Sequence, residues 1–264
     1  MVTVEDQIDL GGGYYVLRIG WPELAREIQP GQFVMIGLPD LTEMLIRRPF
    51  SVARVCPDQD PDPTSFELLY KVVGRATHTF SRLRRGSEMT VLGPLGRGFW
   101  LPDDGDVELL LVAGGIGNAP FPLLVQRLGE KARKTTLFFG GRTRGDLTLL
   151  DWFEQRCHVV VATEDGSLGA RGRVTEPLVS HLDGSRNRPR LVLACGPHPM
   201  LRAVAAACLE RDVPCQLAVE ETMACGFGVC LGCVVPKRHP TSEFDRFVRV
   251  CREGPVFDAR EIVL

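Results

Sequence analysis

The apolar positions of the chain change rhythm twice along its length. From Tyr14 to Arg97 they come in short runs rich in β-branched and aromatic residues, at 14–19, 32–36, 66–73 and 88–92, each bounded by Gly, Pro or Asp. Short strands at such intervals predict a barrel or sandwich. The Pro/Asp-rich stretch 57–63 reads as an exposed hairpin connection with no evident chemistry of its own. Beyond it, the apolar runs at 109–113, 135–140, 159–163, 190–195 and 214–219 are nearly continuous, and the first leads into a helix expected to reach about Arg133. A strand covered on both faces needs such a run, and strands alternating with helices predict a doubly wound parallel sheet. After Glu220 both rhythms give way to a stretch crowded with cysteine and glycine. The expected architecture is therefore multi-domain α/β and β. An antiparallel β-barrel domain spans 1–103, a doubly wound parallel-sheet α/β domain 104–220, and a small C-terminal subdomain 221–264.

Composition narrows the function classes. With 264 residues, 44% hydrophobic and 24% charged, the chain is an ordinary globular protein of two domains and an appendage. No uninterrupted apolar run approaches the ~18 residues a membrane span needs. A net charge of −2 gives no electrostatic case for nucleic-acid binding, and Arg82, Arg84 and Arg85 read as a solvated face. The first ten residues carry Glu5, Asp6 and Asp9 rather than a basic and then apolar leader, so a reducing, cytoplasmic compartment is the expectation.

Candidate chemistry concentrates on thiols and glycine turns. Cys225, Cys230 and Cys233 form a C-x4-C-x2-C run with Cys251 downstream, the spacing associated with a [2Fe–2S] centre. Gly226, Gly228 and Gly232 interleave with them and free the backbone to aim amide N–H groups at sulfur. A structural zinc site is the rival, though it commonly uses two short cysteine hooks. Disulfides sit poorly with nine cysteines, an odd number. Upstream, the run 109–113 passes into Gly114-Gly115-Ile116-Gly117 and then a helix, the order a diphosphate-binding βα unit requires, although the spacing is not G-x-G-x-x-G. The run 190–195 ends in Cys195-Gly196-Pro197, so both turns fall at strand carboxyl ends, where open α/β sheets bind ligands. Cys195 is either part of that site or a packed apolar thiol. Arg142 and Arg144 would suit a 2′-phosphate, and Glu164 and Asp165 a ribose hydroxyl.

Arg48-Pro49-Phe50-Ser51, Gly74-Arg75-Ala76-Thr77, the 93–99 loop, Gly114-Gly115-Ile116-Gly117-Asn118-Ala119-Pro120 and Cys195-Gly196-Pro197 together resemble the motifs of ferredoxin-reductase-type flavoproteins. That resemblance implies FAD at Arg48, Pro49, Phe50, Ser51, Leu69, Tyr70, Lys71, Ala76 and Thr77, and a nicotinamide nucleotide at Gly114, Gly115, Gly117, Cys195, Gly196 and Pro197. The family usually has Gly where Ala76 stands. With the cysteine stretch added, and above all residues 223–233 and 250–257, the whole chain resembles the electron-transfer subunits of class 1B dihydroorotate dehydrogenases. The resemblance implies a [2Fe–2S] cluster on Cys225, Cys230, Cys233 and Cys251, NAD with NADP left open by Arg142 and Arg144, and an FMN-containing catalytic subunit as partner in a two-plus-two heterotetramer. Electrons would pass from FMN through cluster and FAD to NAD+, in pyrimidine biosynthesis, and no catalytic residue for dihydroorotate is expected in this chain. Two rivals stand beside this reading: the NAD(P)H-linked subunits of electron-bifurcating ferredoxin oxidoreductases and sulfhydrogenases, which share the plan, and a non-enzymatic redox-sensing module.

Overall fold

A computed structural model describes residues 1–39, 46–102, 107–184 and 188–264. Its N-terminal part is a closed antiparallel barrel of β1 (Val2–Gly11), β2 (Tyr14–Gly20), β3 (Phe33–Gly37), β4 (Arg48–Cys56), β5 (Ser65–Lys71) and β6 (Glu88–Leu95), in the order β1-β2-β5-β4-β3-β6. Closure comes from β1, whose Val2 and Thr3 pair with Met89 and Glu88 of β6. Asp6 breaks the alternation of Val2, Val4, Ile8 and Leu10 in the run 2–11, so apolar patterning does not announce it. Two short helices, α1 (Pro22–Glu27) and α2 (Arg75–Phe80), complete this part. Ile19, Ile28, Val34, Ile36, Phe66 and Phe80 are among its fully buried side chains.

The second part is a seven-stranded sheet in the order β10-β9-β8-β7-β11-β12-β15. Its strands are β7 (Glu108–Gly114), β8 (Thr136–Gly141), β9 (His158–Thr163), β10 (Ala170–Arg171), β11 (Arg190–Cys195), β12 (Cys215–Ala218) and, after the hairpin β13 (Val234–Pro236) and β14 (Phe247–Arg249), β15 (Val256–Asp258). The first six run parallel, and β15 from the cysteine-bearing end of the chain joins antiparallel to β12. Alternate residues of β7 face opposite layers. Leu111 and Ala113 pack with Phe121 and Leu124 of α3 (Phe121–Leu128) and Phe153 of α4 (Leu150–Glu154). Leu110 and Val112 pack with Leu178 of α5 (Thr175–Asp183) and Leu201 and Val204 of α6 (His198–Glu210). The helix after β7 is shorter than its sequence suggests, because Gly129 takes φ +54° and a 3₁₀ segment, Gly129–Lys134, replaces its expected end.

The two parts are joined by side chains that imitate backbone. The buried Gln126 of α3 accepts from Val55 N at 3.0 Å and donates to Val55 O at 3.1 Å, extending the β4 ladder by one side-chain amide. The same amide donates to Asp58 at 2.8 Å, and Arg156 pairs with Asp58 at 3.4 Å, so the 57–63 connection, expected to be chemically idle, helps hold barrel to sheet. Phe99, beyond the glycine loop, stacks on Phe121 with centroids 5.7 Å apart. Gly96, at φ +73°, lets that loop pass so close to Gly254 and Pro255 that a Cβ would stand 2.5 Å from Pro255 Cδ.

Candidate functional site

Three sites lie in a row. The first is a cavity of about 530 Å³ between the barrel and the chain leaving β12, within the range that takes a cofactor. Antiparallel pairing of β4 with β5 brings the start of one strand beside the end of the other. Arg48, Pro49, Phe50 and Ser51 therefore line the cavity together with Leu69, Tyr70 and Lys71. Ala76 and Thr77 close it from α2. Thr77 also builds the turn: its hydroxyl accepts from Val73 N (2.9 Å) and Gly74 N (3.1 Å) and donates to Gly74 O (3.0 Å). Phe50 stands edge-on to Tyr70 (5.8 Å) and Phe80 (5.7 Å), and Tyr15 stacks on Tyr70 (5.6 Å), so the aromatic wall is locked. Burial pushes the Tyr70 phenol upward, keeping it neutral. The opposite wall is Val219, Glu220, Glu221 and Met223, of which no motif singled out Glu220 and Glu221 as cavity residues.

The second cavity, about 420 Å³, lies over the carboxyl ends of β7, β8 and β11. Strand order reverses between β7 and β11, and this switch point is where an open α/β sheet leaves a crevice. Gly114, Gly115 and Pro197 line it. Gly117, Cys195 and Gly196 are not among the residues that line it, and they pack against one another: a Cβ on Gly117 would overlap the Cys195 carbonyl oxygen and come 2.6 Å from Gly196 Cα. These residues fit one βα turn against the other, and the Cys195 thiol itself is a packed group, buried and pushed well above its ordinary value by desolvation. Arg142 and Glu164 both line this cavity together with Arg173, whereas Arg144 and Asp165 do not. Lys71 and Ile116 line both cavities and form their common edge.

The third site begins two residues past Met223. Cys225 and Cys230 sit on one loop, with Cys230 N 3.5 Å from Cys225 Sγ. The β13–β14 hairpin pairs Val234 with Arg249 and so brings the flanking Cys233 and Cys251 together, Cys251 N lying 3.4 Å from Cys233 Sγ. Gly226 (φ +81°) and Gly228 (φ +91°) permit the coiled loop path. Burial would raise the Cys225 thiol, but backbone N–H groups of Cys230, Phe227 and Val229 outweigh it and hold the thiol at about 6. Cys251 goes the other way, to about 12, through burial and the neighbouring Cys233. Two thiol pairs, one aimed at by amides, suit a two-iron cluster with two thiolates on each iron. A zinc ion wants four donors on one centre, whereas here the thiols are brought together as two pairs.

A barrel with an aromatic-walled cavity, a nucleotide crevice at a sheet switch point and a paired-thiol loop define an oxidoreductase of the ferredoxin-reductase fold. Solved structures of that fold agree. The ferredoxin NADP+ reductase of Neisseria gonorrhoeae with bound FAD and NADP superposes at a TM-score of 0.64 over 80% of this chain and 90% of its own, with 18% identity. The NADH-dependent reduced ferredoxin-NADP oxidoreductase structure, described for flavin-based electron bifurcation, superposes at 0.83 over 100% of this chain and 90% of its own, with 27% identity. Residues 220–263 match the iron-sulfur cluster binding domain of dihydroorotate dehydrogenase B, and residues 111–206 the oxidoreductase NAD-binding domain. The dihydroorotate dehydrogenase B (NAD(+)) electron transfer subunit of Desulforamulus reducens is 36% identical over 94% of this chain and 92% of its own. That of Shouchella clausii is 34% identical over 100% and 97%. This chain belongs to the family of dihydroorotate dehydrogenase B electron transfer subunits. Among the described residues no helix is long and apolar enough to cross a membrane.

Proposed function

We propose that this chain carries electrons from the FMN of a separate dihydroorotate-oxidising subunit, through a [2Fe–2S] cluster and FAD, to NAD+, as a step of pyrimidine biosynthesis. The observation that carries the reading is the linear order of the three sites. The nucleotide crevice meets the aromatic-walled cavity at Lys71 and Ile116, and that cavity meets the thiol loop through Met223. FAD bound between the other two sites supplies the junction, since a flavin exchanges one electron with a cluster and two with nicotinamide.

The chain's own residues bind and orient. Arg48 and the α2 turn with Ala76 and Thr77 would hold the diphosphate of a bound FAD, Ser51 would offer it a hydroxyl, and Pro49, Phe50, Leu69 and Tyr70 would exclude water from it. Gly114, Gly115 and Pro197 give the nicotinamide nucleotide close backbone approach, with Gly117, Cys195 and Gly196 holding the two turns together. Cys225, Cys230, Cys233 and Cys251 ligate the cluster. The functional units are 1–103 for FAD, 104–220 for NAD and 221–264 for the cluster. The partner is an FMN protein in a two-plus-two heterotetramer in the cytoplasm. Exposed Phe227, Val229 and Leu231 beside the thiols support a partner face there.

The test is anaerobic purification with a dihydroorotate-oxidising FMN protein from the same organism, followed by dihydroorotate-dependent reduction of NAD+. Activity lost in Cys230→Ser, with FAD retained, is the expected result. The similarity to the bifurcating oxidoreductase at a TM-score of 0.83 favours a second reading, as an NAD(P)H-linked ferredoxin oxidoreductase subunit. Inactivity with dihydroorotate alongside rapid ferredoxin-coupled NADPH oxidation would select it.

A further inference from the structure

Lys71 stands where the two cavities touch, and more is built around it than a lining residue needs. Its Nζ donates to the Tyr14 hydroxyl at 2.8 Å and to Asp146 Oδ1 at 3.1 Å, and lies 4.3 Å from the centre of the Tyr14 ring. The Tyr14 hydroxyl in turn donates to the same Oδ1 at 2.6 Å. The other oxygen of Asp146 accepts the backbone N–H groups of Arg142 (3.2 Å) and Thr143 (3.3 Å) and faces Arg142 Nε at 3.5 Å.

One buried carboxylate of the sheet thus holds two walls. Through Oδ2 it fixes the turn after β8, which carries Arg142 into the nucleotide crevice; through Oδ1 it fixes two residues of the barrel. Closing its own turn would occupy only Oδ2. Using Oδ1 on Tyr14 and Lys71 ties that turn to β2 and β5, and it aims an ammonium at the only edge the two described cavities share, Lys71 and Ile116.

We propose that Asp146 is a positioning residue for electron passage between the two cavities, holding the Lys71 ammonium at their junction and setting the nucleotide wall against the flavin barrel. The inference rests on the reading that these cavities take a nicotinamide nucleotide and FAD. Transfer between two bound partners depends steeply on their mutual placement, and a misplacement of about 1 Å can cost about 100-fold in rate. An ammonium held from two sides cannot swing into either cavity, so an anionic nucleotide meets a cation of fixed position.

The test uses the full chain complexed with its FMN partner. Bleaching of the bound flavin by NADH is followed anaerobically in a rapid-mixing instrument, yielding a limiting rate and a dissociation constant. Asp146→Asn should lower the limiting rate per bound flavin by about tenfold or more, with a smaller change in NADH affinity. Lys71→Met should lower it similarly, and the double variant should fall no further than the worse single one. Lys71→Arg should recover part of the rate. Flavin content and bleaching by dithionite, measured on every variant, separate positioning from folding, because a purely structural role would lower flavin content and leave the rate per bound flavin unchanged. A wild-type rate in Asp146→Asn, or losses that multiply in the double variant, would overturn the inference alone. Failure of NADH to bleach the wild-type flavin would overturn the functional reading and the inference with it.

Discussion

At the scale of single residues, the site depends on atoms that are absent as much as on those present. Gly117 sits so close to the Cys195–Gly196 turn that any side chain must push it away. Gly117→Ala is expected to destabilise the protein by about 1–3 kcal/mol, as overpacking against unyielding backbone does. It should also weaken NADH binding while leaving the flavin in place; a fluorescence titration with NADH checks this, and unchanged affinity would show that the two turns move independently. Asp146 gives a prediction in pH. Burial alone would raise its carboxyl, but the Tyr14 and Lys71 hydrogen bonds prevail and hold it at about 2 against an ordinary 3.8. A carboxyl depressed in the folded state contributes stability that is complete above its ordinary value and lost as pH falls through the folded one. The partner Lys71 is raised, chiefly by its hydrogen bond to Tyr14, so its contribution holds below 10.5 and is lost only as pH rises beyond. The stability gap between wild type and Asp146→Asn should therefore be flat from about pH 5 to 9 and shrink between about pH 4 and 2. Denaturant midpoints at a series of pH values measure it, and a gap that persists at pH 2 would contradict the assignment.

Whole elements show how much was legible in the sequence. Five of the seven strands of the sheet were plain, since continuous apolar runs such as 109–113 and 190–195 are what double-faced burial demands, and the glycine turns that follow them carried local signatures, whereas the two-residue β10 was not. Strand β1 was not legible, because a barrel's closing strand with mostly exposed positions needs only its backbone to pair. Nor was β15, whose three residues find their place by tertiary pairing with β12. The first-cavity residues near Arg48 and Thr77, and Met223, were singled out by resemblance, whereas Glu220, Glu221 and Asp146 enter the cavities through contacts no spacing encodes. Gln126 belongs with these. On α3 it looks like one more polar position, yet it is 8% exposed and completes the ladder at Val55. Replacing it by leucine keeps the bulk and leaves one N–H and one C=O unpaired inside the seam. Gln126→Leu should cost about 2–4 kcal/mol, one unsatisfied group at a time. Urea unfolding reads this directly, and a loss below about 0.5 kcal/mol would mean that water or a shifted Asp58 takes over the pairing.

Across the whole molecule, the sites run from a crevice within the fold to a loop at its surface, and the last of them is clothed in apolar residues that the chain itself leaves uncovered. Phe227, Val229 and Leu231 are 49%, 72% and 61% exposed, all within the thiol loop, and Phe244 just before β14 and Phe247 at its start are exposed as well. Isolated exposed apolar residues are unremarkable, but several in one short loop beside an electron-carrying centre fit a face that a partner covers. Leu231 sharpens this, because its backbone has φ +57°, a left-handed conformation that leucine disfavours and asparagine tolerates. Such strain costs on the order of 1 kcal/mol or more, and among the described residues none buries the side chain to offset it. If the partner covers Leu231, the two terms separate on substitution. Leu231→Asn should raise the thermal stability of the isolated chain slightly, by relieving the backbone. It should also weaken association with the partner catalytic subunit by about tenfold or more, since burying a leucine is worth about 1.5–3 kcal/mol. Calorimetric titration of one subunit with the other, with the cluster's visible absorption as a control for loop integrity, measures the second effect. A variant that is more stable and binds equally well would place the partner elsewhere, leaving the apolar loop to serve only as insulation for the thiols.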